Sequence, residues 1–343
     1  MAVSYPTKQP LSSSSPMFRF LFLAFILILL VFQLFHHRGF LRPTWLDRSR
    51  NPHFNPDIKD AANSTMGFEK IIVINLPSRA DRRDRMSVLA AHTGIEIEYS
   101  DGLRGEQVDN KAMPPHWKSS MSDGNKGSYR SHVNALRKVV ENRYRTAIIM
   151  EDDLDWDLSI KEQLLLFAQQ LPSIPQSQFV PLSRASKHET PHAPYGLDWD
   201  IMWLGTCIRP DAPPDAFSYQ DPFSEMTYQL WNTDGGVACS HAYGVTYESA
   251  KWLLAYALDL DAPWDLHLSD FCQAHVCPLV SPHIIGFFQP AGSVADSDIS
   301  VVPEGEYRDR GVSIGVKHSA MLDLLDNLEP KHDYPPLGQA QNP

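Results

Sequence analysis

Three adjacent carboxylates, Glu151-Asp152-Asp153, follow the apolar run Ala147–Met150 (AIIM) and are the strongest chemical feature of the chain. Their charges repel one another and cost stability unless a cation offsets them. An apolar strand that ends in acids places them in the crevice outside the carboxyl edge of a sheet, where α/β proteins hold ligands. Oxygen donors of this kind suit Mn²⁺ or Mg²⁺, above all an ion shared with a diphosphate. Taken alone, such a triplet also suits a solvated acidic turn. A cationic counterpart lies upstream, where Asn75-Leu76 closes an earlier strand and Arg79, Arg82 and Arg83 open the next helix. Guanidinium groups and helix N–H donors in that position would face a phosphate, although they also suit a solvated helix face. Ser131-His132, near the start of a helical pattern from Gly127, either contacts phosphates or caps and packs.

These residues need a scaffold. Lys70–Asn75 (KIIVIN) reads as a β-branched strand, Asp81–His92 as a charged helix and Ile95–Tyr99 as a second strand, which is a β-α-β signal. A polar loop runs to about Asn125, and the helix from Gly127 carries Val133, Leu136, Val139 and Val140 on one side. Further helices fit Ile160–Leu171 and Glu248–Leu258, and further strands fit Asp200–Leu204, Ala242–Thr246 and Ile284–Phe288. Strands alternating with helices predict an α/β layered fold, in one catalytic domain over residues 68–330. Within it, residues 172–195 are rich in Pro, Ser, Gln and His and read as a flexible surface loop; residues 331–343 read as a disordered tail.

The 343 residues are 43 % hydrophobic and 21 % charged, the composition of a globular protein rather than a disordered or fibrous one. A net charge of −11 argues against a nucleic-acid partner held by general electrostatics. The charge is uneven. Lys8, Arg19, Arg38, Arg42, Arg48 and Arg50 against Asp47 give residues 1–50 a charge of +5, which leaves −16 for residues 51–343. After a short tail, 1–16, residues 17–35 (MFRFLFLAFILILLVFQLF) read as a transmembrane anchor. As a helix the apolar run spans about 24 to 29 Å, suited to an early-secretory bilayer. His36-His37-Arg38 follows it, not a small-residue cleavage site. Residues 36–67, with Arg42-Pro43, Asn51-Pro52 and Asn55-Pro56, read as a stem. Arg38 and Arg42, counted as inside charges, would put the large domain in the cytosol. The glycosylation acceptor pattern Asn63-Ser64-Thr65 and four cysteines point instead to a lumen.

In order, IIVINLPSRADRRDRM, KGSYRSHVNALRKVVENRYRTAIIMEDDLDW, DWDIMWLG, AYGVTYESAKWLL, APWDLHL and SDI resemble glycosyltransferase family 25 over about residues 69–300. The resemblance implies a GT-A-like, Rossmann-like nucleotide-sugar fold, a UDP-sugar donor (usually UDP-galactose), inversion at the anomeric carbon and generally Mn²⁺. Position by position, it implies Asp153 as the first metal ligand and Asp152 as a second. Glu151 or Asp152 would reach ribose or metal-bound water, Asn75, Arg79 and Arg82 would sit beside the nucleotide, and Ser131 and His132 would line the donor pocket. Inversion also needs a base for the acceptor hydroxyl proton. Asp265, in Pro263-Trp264-Asp265, is preferred, with Asp298 of the SDI step second; a cap or turn role suits each as well. The chain departs from the family at Ser128-Tyr129, where many members carry a cysteine. It departs again at Gly286–Pro290 (GFFQP), where the collagen enzymes carry a histidine. A third, histidine metal ligand and a collagen acceptor are therefore not assumed. The expected partners are a nucleotide sugar, a glycan or glycoprotein acceptor and a membrane. The expected place is the Golgi or endoplasmic reticulum membrane, single-pass, with the catalytic domain in the lumen.

Two rival readings remain at this point. An Asp-dependent phosphatase or phosphotransferase is suggested by Asp153-Leu154-Asp155 after an apolar strand, though that motif usually occupies the first strand and needs a downstream Lys. A membrane-tethered sugar-binding protein without turnover is the other. Cys207, Cys239, Cys272 and Cys277 allow three disulfide pairings or remain buried thiols, and their spacing is a poor zinc pattern.

Overall fold

The computed structural model describes residues 58–115, 117, 121–183, 193–257, 262–293, 297–299 and 307–328. Every described residue lies in one compact unit, Asn55–Pro343. The expected anchor, most of the stem and the C-terminal tail lie outside the described residues. Among the described ones, no helix is long and apolar enough to cross a membrane.

The elements are, in chain order, β1 (Lys70–Asn75), α1 (Ala80–Thr93), β2 (Glu98–Asp101), α2 (Asp123–Glu141), β3 (Thr146–Met150), β4 (Leu154–Trp156), α3 (Ile160–Gln170), β5 (Ile201–Gly205), β6 (Phe217–Gln220), β7 (Thr227–Asn232), β8 (Ala242–Thr246), α4 (Tyr247–Tyr256), α5 (Trp264–Phe271), β9 (Pro278–Ser281), β10 (Ile285–Gln289), β11 (Gly292–Ser293), β12 (Tyr307–Arg308), β13 (Val312–Ile314) and α6 (Ala320–Leu328). Eight strands form one sheet in the order β2-β1-β3-β8-β5-β9-β7-β6, and β13-β10-β4 form a small second sheet. In the large sheet β2, β1, β3, β5, β9 and β6 run one way, and β8 and β7 run the other.

Period-2 alternation sends the strand side chains to two cores. Ile71 and Val73 of β1 and Ile148 and Met150 of β3 face α1 and α3, where Met86, Leu89, Leu164 and Phe167 pack. Ile72, Ala147 and Ile149 face α2, α4 and α5 through Val133, Leu136, Val139, Leu253 and Leu268. Helices thus cover both faces, and β3 is buried along its whole length. That is why its sequence is a continuous apolar run rather than an alternating one.

Several boundaries differ from those expected. The second strand is Glu98–Asp101, not Ile95–Tyr99. Gly94 ends α1 in the left-handed region (φ 63°), and the Ile95 amide folds back to donate to the Ala90 carbonyl at 2.8 Å, so Ile95 packs into the core as part of the helix stop. Helix α2 begins at Asp123, one turn before Gly127, with Ser122 accepting from the Asn125 amide at 3.1 Å. Residues 58–67, placed by sequence in the stem, pack onto the domain. Ala61 and Met66 are fully buried, and Tyr195 donates to the Met66 carbonyl at 2.8 Å. The described ends of 172–195 are also packed, with Ile174, Ala193 and Tyr195 buried; residues 184–192 lie outside the described residues.

The acidic strap after β3 is tied to the C-terminal helix. Asp155 is fully buried; one oxygen accepts from the Met321 amide at 3.2 Å and the Trp156 amide at 2.8 Å, and the other accepts from the Ser319 hydroxyl. Asp157 accepts from the His318 amide at 2.9 Å. Burial pushes the Asp155 carboxyl pKa up, against these donors. Asp155→Ala would leave those donors without their carboxylate. It is expected to lower unfolding stability by about 2–4 kcal/mol, read as a lower urea midpoint at unchanged slope.

Candidate active site

Strand β1 crosses through α1 to β2 on one side, whereas β3 joins it on the other. The carboxyl ends of β1 and β3 therefore flank a topological switch point, where a crevice opens. Asn75 ends β1 and the acidic triplet follows β3. Asn75 Nδ2 donates to Asp152 Oδ2 at 2.7 Å and to the Arg79 carbonyl at 3.1 Å, which ties the triplet to the start of α1. Arg82, in the first turn of that helix, donates from Nη1 to Asp152 Oδ1 at 2.8 Å and Asp153 Oδ2 at 3.1 Å. Burial works against the guanidinium charge, but Asp153 and Asp152 outweigh it and hold the Arg82 pKa above its usual value.

The three acids therefore have different situations. Both oxygens of Asp152 are held by Asn75 and Arg82. Glu151 Oε1 accepts from the Ser240 hydroxyl at 3.2 Å and lies 3.8 Å from His132 Nε2. Burial opposes the Glu151 charge, yet the His132 and Ser240 contacts and the nearby His241 hold its pKa down. Asp153 is pushed up by burial first and then by the Glu151 charge. Two like charges in one site separate in this way. Asp153 Oδ1 is buried and has no hydrogen-bond partner among the described residues.

Arg82, Glu151, Asp152 and Asp153 line a cavity of about 480 Å³ with Arg104, Ser131, His132, Ser240, His241, Trp264, Asp265 and Asp298, whereas Asn75 and Arg79 are not among its lining residues. Its rim is formed by close backbone approaches. A Cβ on Gly105 would stand 2.0 Å from the Asp123 carbonyl oxygen, and one on Gly124 would stand 2.0 Å from that of Ile299, so any side chain there would push the rim apart. Ser131 does not present a free hydroxyl: it donates to the Gly127 carbonyl at 2.7 Å and accepts from the Leu103 amide at 2.9 Å, holding the 103–105 turn against α2. Arg79 pairs with Asp81 at 2.8 Å and with Asp298, and its guanidinium draws the Asp81 pKa down to about 2. Asp298 also lies 3.6 Å from Arg104. Asp265 accepts from the Cys239 amide at 2.8 Å and the Leu266 amide at 2.9 Å.

Two disulfides form, Cys207–Cys239 and Cys272–Cys277. Cys239 sits at φ 66°, a region non-glycine residues seldom enter, and is held there by its disulfide and its bond to Asp265. The sequence reading did not single out Arg104, Cys239, Ser240, His241 or Trp264 as site residues. Trp264 lies inside the matched run APWDLHL and Ser240-His241 stand just before AYGVT, whereas Arg104 lies in the polar loop, where nothing marked it.

A buried carboxylate oxygen left open beside other acids suits a hard cation. Among the described residues, however, no three His, Cys, Asp or Glu side chains are grouped to hold an ion. Asp153 is the carboxylate of the triplet whose chemistry would suit such an ion, as one of a few protein oxygens beside water and a diphosphate.

Fold and cavity together define an α/β domain with an acidic, arginine-braced crevice at a switch point. Over residues 68–268 the chain matches glycosyltransferase family 25 (LPS biosynthesis protein). It belongs to that family, a class of glycosyltransferases. It is 27 % identical over 199 residues to procollagen galactosyltransferase 1 of Danio rerio, covering 53 % of this chain and 30 % of that one. To procollagen galactosyltransferase 2 of Homo sapiens it is 23 % identical over 179 residues, 48 % of this chain and 25 % of the relative. A third similar protein, a probable inactive glycosyltransferase 25 family member 3 of Bos taurus, is 23 % identical over 209 residues, 57 % of this chain and 28 % of its own length. The chain thus spans less than a third of the length of these relatives.

Proposed function

We propose that the chain transfers a hexose, most simply galactose, from a UDP-sugar to a hydroxyl of a glycan or glycoprotein with inversion, in a GT-A-like fold assisted by Mn²⁺ or Mg²⁺. The observation that carries this reading is the Asn75–Asp152–Arg82–Asp153 cluster at the switch point, of which Arg82, Asp152 and Asp153 line the same cavity as Asp265. When bound, the ion supplies charge stabilisation for the departing diphosphate. The chain's own residues do the rest. Asn75 and Arg82 hold Asp152 and thereby set the acidic strap, Asp153 and Glu151 face the donor side, and Asp265 takes the proton of the acceptor hydroxyl. Arg79 and Arg104 hold Asp298 at the rim beside the nucleotide.

The phosphatase reading needs Asp155 in the cavity as an acid, but that side chain is buried and bonded to residues 319–321. A purely sugar-binding role requires only that turnover be absent. Transfer or hydrolysis of UDP-galactose by the purified protein, with and without Mn²⁺, decides between these readings. Metal-dependent release of UDP supports the transferase, hydrolysis of a generic phosphoester supports the phosphatase, and binding without release supports the sugar-binding role.

For location, the reading is a single-pass membrane protein anchored by residues 17–35 with this domain in the Golgi or endoplasmic reticulum lumen. Two disulfides suit an oxidising compartment. Asn63, the acceptor of Asn63-Ser64-Thr65, is exposed in a turn, and Thr65 Oγ1 donates to its Oδ1 at 3.1 Å. Its side-chain nitrogen is the glycan attachment point. A glycosidase-sensitive mass shift that vanishes in Asn63→Gln supports the lumenal reading, and protease sensitivity of the domain in sealed microsomes overturns it.

A further inference from the structure

Behind the acidic triplet, polar side chains from α2, β8 and α5 meet in an otherwise apolar layer. Tyr243 is fully buried, His132 is 2 % exposed, Trp264 2 % and Ser240 3 %. Trp264 Nε1 lies 3.2 Å from Tyr243 Oη, Tyr243 Oη lies 3.2 Å from His132 Nδ1, His132 Nε2 lies 3.2 Å from Ser240 Oγ, and Ser240 Oγ lies 3.2 Å from Glu151 Oε1. The direction of every bond follows from what each group can do. An indole N–H only donates, so Tyr243 accepts from Trp264. The buried Tyr243 hydroxyl must then place its own hydrogen, and His132 Nδ1 is the acceptor in reach. Nδ1 therefore carries no proton, the imidazole is the Nε2–H tautomer, and Nε2 donates to Ser240. The Ser240 hydrogen is left for the Glu151 carboxylate, which can only accept.

We propose that Trp264, Tyr243, His132 and Ser240 form a one-directional hydrogen-bond chain that fixes Glu151 by Oε1. The chain leaves Oε2 to face the sugar-nucleotide donor, so that Tyr243 and Ser240 are positioning residues for donor binding. His132, matched by sequence to the donor pocket, acts inside this chain with both ring nitrogens engaged. Its ring is stacked on Trp264 with an interplanar angle of 11°, which keeps Nε2 aimed at Ser240. Glu151 Oε2 has no hydrogen-bond partner among the described residues, and Glu151 lines the cavity. The chain also joins the two sides of the site. It starts on Trp264, next to Asp265, and passes through Ser240, next to the Cys239 amide that Asp265 accepts from.

The donor role of Glu151 rests on the reading above, so the test has one arm independent of turnover. Nitrogen-15 NMR of the full chain should show His132 as the Nε2–H tautomer, with that preference lost in Tyr243→Phe; an Nδ1–H imidazole in the unaltered protein overturns the proposal. In kinetics with UDP-galactose, Ser240→Ala and Tyr243→Phe should each raise the donor KM about tenfold, as expected for the loss of one aligned hydrogen bond, with kcat little changed. Ser240→Thr, which keeps the hydroxyl, should restore most of the loss. A fall in kcat or melting temperature at unchanged KM would instead mark a merely structural role and sink the proposal. If UDP-galactose is not turned over at all, the reading of function fails and the NMR arm alone decides the chain.

Discussion

Asp153→Ala is expected to lower metal-supported turnover of UDP-galactose by roughly a thousandfold, the several kcal/mol that a bound ion contributes to the departing charge. The melting temperature of the metal-free protein should not fall. Asp153 is the acid of the triplet with a buried oxygen left open, and burial together with the Glu151 charge already works against its ionised form. Removing it relieves a repulsion, at the loss of one contact to Arg82. Asp152→Ala should behave in the opposite way in stability. It would strand Arg82 and Asn75 in a buried site and cost about 3 kcal/mol, as breaking a buried ion pair does. Initial rates at saturating Mn²⁺ and thermal unfolding of both variants give the comparison. Retained turnover in Asp153→Ala moves the site elsewhere, and equal melting losses in both variants dissolve the division of labour between the two acids.

Asp265→Asn should lower kcat by about 10²–10⁴-fold, the range for loss of a positioned base, while donor affinity measured by calorimetry stays in place. Asparagine keeps an oxygen for the Cys239 amide, so the wall of the cavity survives the change. Asp298→Asn should act on the other parameter. Its carboxylate is engaged by Arg79 and Arg104, so weakening it loosens both contacts while Arg79 keeps Asp81, and should raise the donor KM with kcat within a few-fold. The reverse pattern, a collapsed kcat in Asp298→Asn and an intact one in Asp265→Asn, transfers the role of base to Asp298.

Much of the frame was legible because local signals and tertiary context agree there. Lys70–Asn75 and Ala242–Thr246 are strands with the expected limits, and the acidic triplet stands where an apolar strand ends. The direction of β8 was not legible. Its AYGVT run reads the same whether it lies parallel or antiparallel to β3, and only pairing partners fix that choice. The β6–β7 hairpin and β9 were missed because their short runs sit among Pro and Asp residues that read as loop. Within the site, charge pairs could be guessed from residue types, but their assignment could not. Arg79 and Arg82 look alike in sequence, yet one grips Asp298 and the other the triplet. His132 matched a donor-pocket position, whereas the bonds that define its work come from Tyr243 and Ser240, about a hundred residues away, which no spacing rule connects to it.

The Cys207–Cys239 bridge closes a ring with a sequence separation of 32 that contains the β6–β7 hairpin and the partly exposed run Asp211–Ala216. The ring returns to the cavity wall at Cys239, immediately before Ser240 and His241. The bridge pins both ends of this segment, so a change of length in 211–216 is expected to pull less on the wall than it would in an open chain. One sulfur–sulfur bond thus separates a partly exposed segment, where a change of length is least costly, from the wall residues Ser240 and His241, which must keep their register with the acidic triplet.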